Sequence, residues 1–391
     1  MVTTAALVIP LLALWLWWPC RMSRLARIAL VLLTTAAGIF PALLLKAVQT
    51  GAMAYTDIAP LQVPGGWVLA TLLMMAVLAL LRDAVWLMGK LLARPRWSLS
   101  VHSALPTVAA LAMSGALSGL GVYNALQPPQ IKEVNIVMPQ LPQALEGLRI
   151  AVLADIHASP VNNALYVQTV VDRTLAAQPD LIVLPGDMVD GDIASGRQNI
   201  AALAQLRAPH GVWVAPGNHE YYSGYDSWMT EFRRLGLNVL ENRMQLIEIG
   251  STKLALSGIG DPVYGRTSPY NSNPSVPEGI APDVSAVALL AAAARADFHV
   301  LLAHQPKFAR ENADHGVDLQ ISGHTHGGLI RGMDRWLVAP VNNGFVRGSY
   351  AVDKMQLFVS SGAGQWAGFA VRLGVAPHIE ILKLQREAAK P

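Results

Sequence analysis

The 391-residue chain is long enough for two or three domains, and 53% of its residues are hydrophobic while only 14% are charged. Its single cysteine, Cys20, excludes an intramolecular disulfide and a cysteine-based metal site. The net charge of +3 is unevenly divided, because residues 1–126 hold eight Lys or Arg and two Asp, whereas acidic residues predominate in the remainder. A basic, apolar N-terminal region is typical of membrane helices with charged loops, and it indicates no nucleic-acid-binding face.

Four uncharged apolar runs predict a transmembrane region over residues 1–126. They cover residues 2–19, 28–45, 64–81 and 104–126. Each has the roughly 18 residues needed to cross a hydrocarbon core of ~30 Å, and their number argues against buried globular helices. No positive charge precedes the first run, so we interpret it as a retained span and not as a cleaved signal peptide. Lys46 and Asp83 lie at the ends of runs and are interpreted as anchors.

The basic loops predict the orientation of the chain. One group of arginines lies between the first two runs and a second basic group between the last two; these are Arg21, Arg24 and Arg27, then Arg82, Lys90, Arg94 and Arg96. By the positive-inside rule both loops are cytoplasmic. The sequence therefore predicts a multi-pass protein of the inner or cell membrane, with everything after the fourth run on the extracytoplasmic side.

Beyond the fourth run, short apolar runs alternate with helical patterns. The runs cover residues 149–154, 181–185, 212–216, 298–303 and 319–322, and the helical patterns fall near residues 164–177, 198–206, 225–235 and 284–296. This alternation predicts an α/β domain over residues 148–391, preceded by a linker and first strand at residues 127–147. Residues 264–282 are predicted to form a long loop that is either mobile or functional, as a lid or substrate wall. Residues 362–377 are predicted as an aromatic loop near the site or a buried turn.

Five polar clusters follow the apolar runs directly. They supply seven candidate metal ligands, namely Asp155, His157, Asp187, Asn218, His304, His324 and His326. Functional groups gather beyond the carboxyl ends of strands, so we expect the clusters to meet at one edge of the sheet. Carboxylates, imidazoles and one amide suit a pair of divalent ions such as Mn²⁺, Fe²⁺ or Zn²⁺. A two-metal centre indicates attack on phosphorus by an activated hydroxide.

Each of these residues alone also has a structural explanation. A single Asp after a strand often caps a helix, and a single His usually belongs to the core or surface. We interpret five histidines in that way, namely His102, His210, His299, His315 and His378. The candidate ligands differ because glycine precedes three of them, as expected where the backbone turns sharply beside a filled site.

The clusters together resemble the signatures of the calcineurin-like metallophosphoesterases. These signatures are Asp155-x-His157, Gly186-Asp187-x-x-Asp190, Gly217-Asn218-His219-Glu220, His304 after an apolar strand, and Gly323-His324-x-His326. The resemblance covers about residues 148–384 and is closest to the bacterial membrane-associated, YkuE-like branch, through residues 217–222, 303–306 and 323–328. It implies a four-layer α/β/β/α sandwich, here preceded by four transmembrane helices.

The resemblance divides the ligands between two metals. One set is Asp155, His157, Asp187 and His326, and the other is Asp187, Asn218, His304 and His324. Asp187 then bridges the ions. His219 is left without a ligand role and is interpreted as the general acid that protonates the leaving alkoxide.

Three other positions are compared with the family. The residue equivalent to Asp190 orients the catalytic histidine in the family; a helix cap is the alternative. Ala154 stands where a small hydroxyl residue is common, and Leu329 stands where Gln is common. Neither departure affects a proposed ligand, so metal binding is expected to persist.

These observations favour a membrane-anchored dinuclear phosphoesterase that acts on a diester. Phosphomonoesterase or nucleotide-sugar or lipid pyrophosphatase activity is the alternative among enzymes, although the lipid-linked UDP-sugar used by some relatives is cytoplasmic and conflicts with the predicted orientation. A membrane sensor or transporter with a regulatory phosphoesterase-like domain is the alternative of a different class. The complete ligand set argues against a regulatory domain. A membrane anchor makes lipid or cell-envelope phosphate esters the expected substrates.

Overall fold

The computed structural model describes residues 2–94, 96 and 101–387. The predicted membrane region begins at Met1, and the predicted catalytic domain ends at residue 391. Met1 and residues 388–391 lie outside the described residues. The chain divides into two compact units. The first comprises Met1–Ala125 together with Ala367–Leu373, and the second begins at Leu126 and comprises the rest. A short segment of the predicted catalytic region therefore belongs to the helical unit.

Within the described residues, four apolar helices build the first unit. They are α1 (Val2–Trp17), α2 (Arg24–Gln49), α3 (Tyr55–Leu91) and α4 (Ala104–Ala125). By length and composition, α2, α3 and α4 can cross a membrane. Helix α1 has 16 residues, fewer than the ~20 that a bilayer-spanning helix needs. Within the described residues, three of the four predicted spans therefore correspond to helices that are long and apolar enough to cross a membrane.

Helix α3 extends well beyond the predicted run of residues 64–81. It begins at Tyr55, where the Asp57 carboxylate accepts the Ala54 backbone N–H at 3.0 Å, and it continues to Leu91. Asp83 consequently lies inside a helix of 37 residues, which is longer than the ~20 residues that cross a bilayer, so its place at the end of a span stays a prediction. Trp15 Nε1 and Arg82 Nε each donate to its carboxylate at 2.8 Å. Asp83 therefore links α1 to α3.

Two six-stranded sheets build the second unit. In spatial order the first contains β1 (Gln130–Met138), β12 (His378–Arg386), β2 (Arg149–Val152), β3 (Leu181–Pro185), β4 (Val212–Ala215) and β5 (Asn238–Val239). The second contains β10 (Gly348–Val352), β11 (Met355–Val359), β9 (Leu319–Ser322), β8 (Phe298–Leu302), β7 (Thr252–Gly258) and β6 (Arg243–Ile249). Strands β2 to β5 run parallel to one another, as do β7, β8, β9 and β11.

Helices cover the outer faces of both sheets. The helices that do so are α5 (Ala164–Ala176), α8 (Tyr225–Arg234), α9 (Val284–Ala293) and α10 (Ala309–Ala313), and the described part of this unit also contains α6 (Ile193–Gly196), α7 (Asn218–Tyr222) and α11 (Asp334–Leu337). Alternate residues of a strand point to opposite faces: Leu181 and Val183 of β3 pack between the sheets, whereas Ile182 and Leu184 belong to the core that includes α5 and α8. Residues of α9 and α10 pack on the second sheet. The predicted four-layer α/β/β/α sandwich is confirmed.

The helical pattern predicted near residues 198–206 corresponds to a 3-10 helix over Ala201–Gln205. Leu203 of this helix is buried, as are Ile200 and Leu206, the residues that flank it. These three side chains recur every third residue, which matches three residues per turn.

The expectation of one sheet edge is also corrected. The predicted strands correspond to β2, β3 and β4 in the first sheet and to β8 and β9 in the second. Apolar residues of both sheets share one core. Because the sheets pack face to face, the loops at their carboxyl ends meet.

Candidate metal centre

The structure brings all seven predicted ligands together in loops that follow β2, β3, β4, β8 and β9. Three groups have potential ligand atoms within 4.8 Å of one another, namely Asp155, His157 and His326, then Asp187, His304 and His324, and also His157, Asp187 and His219. The Asn218 amide joins the second group, because its Oδ1 lies 2.8 Å from His324 Nδ1. None of the five histidines interpreted as structural belongs to these groups.

The backbone at this site is strained. Five of the predicted ligands have left-handed φ angles, namely Asp155 (54°), His157 (48°), Asp187 (58°), His324 (72°) and His326 (47°). Each such conformation costs a non-glycine residue about 1–3 kcal/mol and persists only where its surroundings impose it. Five such residues at one site indicate that the placement of their side chains outweighs the conformational preference of the local backbone.

Two glycines allow the loops to approach each other closely. A Cβ atom at Gly217 would overlap the Asp187 carboxylate, and one at Gly323 would overlap the Asp155 carboxylate. The prediction that glycine precedes ligands because the site is tightly filled is confirmed at these two positions.

Asp187 lies at the middle of the site. Its Oδ2 is 3.0 Å from His304 Nε2 and 3.8 Å from His157 Nε2. Its Oδ1 accepts the backbone N–H of His219 at 2.7 Å. One carboxylate oxygen therefore faces a histidine from each of the two predicted ligand sets, as a bridging ligand requires.

The hydrogen bonds of the histidines fit cation binding. His304 Nδ1 donates to the carbonyl oxygen of Pro185 at 2.8 Å, so Nε2 is the ring atom that faces Asp187. His157 Nε2 and His326 Nε2 face each other at 3.1 Å. Buried acceptors at such distances need a proton or a metal cation between them. The donor set of imidazoles, carboxylates and one amide suits divalent ions.

The ionisation of these groups reflects the same electrostatics. Burial lowers the pKa of His304, but the charge of Asp187 outweighs burial and raises it to about 10. Burial raises the pKa of Asp187, but His304 and His219 hold it well below its usual value. The site thus combines buried anions with a strong affinity for positive charge, which divalent ions satisfy.

Asp190 contacts two histidines through one oxygen. Its Oδ1 lies 2.5 Å from His219 Nδ1 and 3.0 Å from His157 Nδ1. Asp190 is not the helix cap that was the alternative interpretation, because Asp192 caps α6. Burial lowers the pKa of His219, but Asp187 and Asp190 raise it to about 9. The ring of His219 is therefore oriented by Asp190, and the neighbouring carboxylates favour its protonated form.

Glu220 has a structural role that the sequence interpretation missed. Its carboxylate accepts the backbone N–H groups of Gly217 (2.7 Å), Asp187 (3.0 Å) and Met188 (2.7 Å). It therefore ties the loop after β3 to the loop after β4. The available signal was its position in the first turn of α7, three residues after Gly217, which is typical of a capping box.

Aromatic side chains surround His219. The ring centroids of Tyr222 and Trp366 lie 5.4 Å and 6.2 Å from the His219 ring. Arg266 stacks on Tyr222 at 5.8 Å, and Ser268 Oγ donates to the Tyr222 carbonyl at 2.7 Å. The loop of residues 264–282 thus packs on Tyr222, and its role as a lid or substrate wall stays a prediction.

His299 illustrates the structural histidines. It is buried, and its Nε2 lies 2.8 Å from Ser257 Oγ. Burial lowers its pKa to about 4, so the ring is neutral at physiological pH.

An α/β/β/α sandwich with these ligands at the strand ends defines a metal-dependent hydrolase of phosphoric esters. Residues 148–328 match the family model of the calcineurin-like phosphoesterases. A transmembrane protein with metallophosphoesterase domain from Danio rerio is 30% identical over 317 residues, which cover 76% of this chain and 68% of that protein. The chain therefore belongs to the calcineurin-like phosphoesterase family.

Bacterial relatives support the same assignment. An uncharacterized metallophosphoesterase of Campylobacter jejuni is 31% identical over 266 residues, which cover 68% of this chain and 65% of that protein. The metallophosphoesterase YkuE of Bacillus subtilis is 28% identical over 286 residues, which cover 70% and 93%. The predicted resemblance is confirmed, although the aligned part spans only about two thirds of the Danio and Campylobacter proteins.

Proposed function

We propose that the protein is a membrane-anchored phosphodiesterase that uses two divalent metal ions. The observation that carries the proposal is the position of Asp187 Oδ2, which faces His304 at 3.0 Å and His157 at 3.8 Å. One ion would be held by Asp155, His157, Asp187 and His326, and the other by Asp187, Asn218, His304 and His324. When bound, such ions supply an activated water and offset the negative charge of the phosphate.

Other groups of the chain would orient these ligands. The Pro185 carbonyl holds the Nδ1 proton of His304, and Asp190 binds Nδ1 of His157, so both rings direct Nε2 into the site. Hydrogen bonds of this kind fix the tautomer of a metal-binding histidine and raise its basicity. Glu220 holds the loops that carry Asp187 and Asn218.

His219 is the proposed general acid. Water adds to phosphorus, one ester P–O bond breaks, and the leaving alkoxide takes a proton from His219. The products are an alcohol and a phosphomonoester. The Nδ1 contact with Asp190 leaves Nε2 as the nitrogen that donates, and the side chain is 18% exposed, so a substrate can reach it.

A diester suits the surroundings of His219 better than a monoester. A diester has one negative charge and a second organic group, whereas a monoester has up to two charges and no second group. Tyr222 and Trp366 supply aromatic surface beside the acid. Such surface favours an organic group over a phosphate charge.

The apolar helices would anchor the enzyme. Helices α2, α3 and α4 have the length and composition of membrane spans. With the basic loops on the cytoplasmic side, the catalytic unit would face the extracytoplasmic side.

Hydrolysis assays on the 391-residue chain test this proposal. With Mn²⁺, kcat/KM for bis-p-nitrophenyl phosphate should exceed that for p-nitrophenyl phosphate, and a chelator should abolish activity until Mn²⁺ is restored. Asp187→Asn should lower kcat/KM by about 100-fold or more, whereas Asp353→Asn, at an exposed turn, should not. A metal-loaded protein that hydrolyses neither ester would overturn the proposal, and a preference for the monoester would overturn the diester assignment.

A further inference from the structure

A buried carboxyl group, that of Glu380 in β12, lies outside the ligand set described above. Its neighbours Ile379 and Ile381 belong to the core that includes α5 and α8, whereas Leu382 packs between the two sheets. Because alternate residues of a strand point to opposite faces, Glu380 faces the second sheet together with Leu382. It is 1% exposed. A carboxyl group in such an apolar layer is costly unless hydrogen bonds satisfy it.

Those hydrogen bonds come from the loop that follows β11 in the second sheet. Glu380 Oε2 accepts the Ser360 hydroxyl at 2.7 Å, and Oε1 accepts the Ser361 backbone N–H at 2.9 Å. Ser360 Oγ in turn accepts the backbone N–H of Gly362 at 3.0 Å. Residues 360–365 are here termed the support loop. Glu380, a residue of the first sheet, thus fixes the start of a loop that begins in the second sheet.

The far end of the support loop holds the segment that carries Asp155 and His157. Gly364 donates its backbone N–H to the Asp155 carbonyl at 2.9 Å. Asn162 Nδ2 donates to the carbonyl oxygens of His157 at 3.2 Å and of Gln365 at 2.9 Å. Asp155 and His157 both have left-handed φ angles, which persist only where the surroundings impose them. The support loop contributes to that constraint.

The support loop also packs on the segment that carries His326. A Cβ atom at Gly327 would lie 3.0 Å from Ser361 Oγ. The residue after His326 therefore lies against the serine whose N–H Glu380 accepts. The first predicted ligand set comprises Asp155, His157, Asp187 and His326. The support loop thus contacts the segments that carry three of its four members.

Building on the proposed function, we propose that Glu380 is a positioning residue for the metal ion of the first ligand set. It would act through the support loop and would not itself bind the ion. Ligands of the second set have other supports, because the Pro185 carbonyl holds His304 and Glu220 holds the loop that carries Asn218. Loss of Glu380 should therefore weaken one metal site more than the other.

Metal titrations of the 391-residue chain test this role without relying on activity. Glu380→Ala removes both acceptors, Ser360→Ala removes only the hydroxyl, and Glu380→Gln keeps the shape and one acceptor oxygen. Burial raises the pKa of Glu380 to about 7, so the native group is itself partly uncharged at neutral pH and an amide is a close replacement. Glu231→Ala is the matched control, because Glu231 is also buried but binds Arg234 within α8.

In calorimetric titrations with Mn²⁺, the wild-type chain should bind two ions, and Asp155→Asn identifies the dissociation constant that belongs to the first ligand set. Glu380→Ala should raise this constant about 10- to 100-fold, as is typical when the group that orients a metal ligand is lost, and Ser360→Ala should raise it about fivefold. The other constant should stay within about threefold in both variants. Glu380→Gln and Glu231→Ala should leave both constants within about threefold.

An unchanged first constant in Glu380→Ala, an equal rise of both constants, or a similar rise in Glu231→Ala would overturn the positioning role. If circular dichroism shows that Glu380→Ala does not fold, the milder Ser360→Ala decides, and an unchanged first constant in that variant overturns the role. A wild-type chain that binds fewer than two ions would instead overturn the proposed function.

Discussion

Asp190 connects the two halves of the proposed chemistry at a single oxygen atom. It binds Nδ1 of His157, a candidate metal ligand, and Nδ1 of His219, the candidate acid. His219 is further placed by its own backbone N–H, which donates to Asp187. The orientation of the acid thus depends on the same carboxylates that shape the metal centre, and substitutions at His219 and Asp190 should have different effects.

Replacement of His219 should separate acid catalysis from metal binding. In His219→Ala, loss of a positioned proton donor should lower kcat/KM for an alkyl phosphodiester by about 100- to 10,000-fold, but only by about tenfold for bis-p-nitrophenyl phosphate, whose leaving group needs no proton. Metal content measured by mass spectrometry should be unchanged. His315→Ala, at an exposed position, serves as the control. Equal losses on both esters would exclude the acid role.

Asp190→Asn should shift the pH dependence of the reaction. His219 acts in its protonated form, and although burial lowers its pKa, Asp187 and Asp190 raise it to about 9. Activity on an alkyl diester is therefore present below this pKa and lost as pH rises through it. Removing the charge of Asp190 lowers the pKa, so the alkaline limb of kcat/KM should move down by about one pH unit or more. The profile for bis-p-nitrophenyl phosphate is the control, and an unmoved limb for the alkyl diester would contradict the prediction.

The loops at the strand ends depend on Glu220 for their mutual position. Glu220→Gln keeps the shape but replaces one acceptor oxygen with a donor, so one of the three buried N–H groups that it binds loses its partner. Such a loss costs about 1–3 kcal/mol, which should lower the unfolding temperature by several degrees and weaken Mn²⁺ binding. Calorimetry on the 391-residue chain measures both effects. Glu311→Gln, at an exposed position of α10, is the matched control, and equal behaviour of the two variants would contradict this role.

Elements that are buried on both faces were predictable from the sequence. Strands β3 and β8 are buried along their whole length, so each is a continuous apolar run that ends at a polar cluster. The edge strand β6 was not predicted, because its residues vary between exposed and partly buried. The division of the strands between two sheets depends on pairing between residues that are far apart in sequence. A single apolar run does not reveal its pairing partners.

The sequence was sufficient to predict which residues form the candidate site, but not all of the contacts between them. Glycines and short motifs identified the strand-end side chains, because these chemical types recur at defined positions. The second contact of Asp190 and the three bonds of Glu220 arise only when loops from different strands meet. The docking of Ala367–Leu373 on the helices likewise depends on contacts with residues such as Gly121, more than 240 positions away. No local pattern predicts such contacts.

At the scale of the whole molecule, charge is separated along the chain. Basic residues concentrate in the loops of the helical region, and acidic residues predominate after it. Basic loops resist transfer across a membrane, whereas a long folded domain is translocated largely regardless of its charge. This asymmetry supports a location of the catalytic unit opposite to the basic loops.

Cysteine labelling in intact cells can test this orientation. In a Cys20→Ser background, which removes the only native thiol, Ser275→Cys places a thiol on an exposed loop of the catalytic unit and Ala93→Cys places one on an exposed position of the second basic loop. A membrane-impermeant maleimide applied outside the membrane should label position 275 directly, because an extracytoplasmic thiol is accessible to it. Position 93 should be labelled only after the membrane is permeabilised. The reverse pattern would place the catalytic unit in the cytoplasm and contradict the predicted orientation.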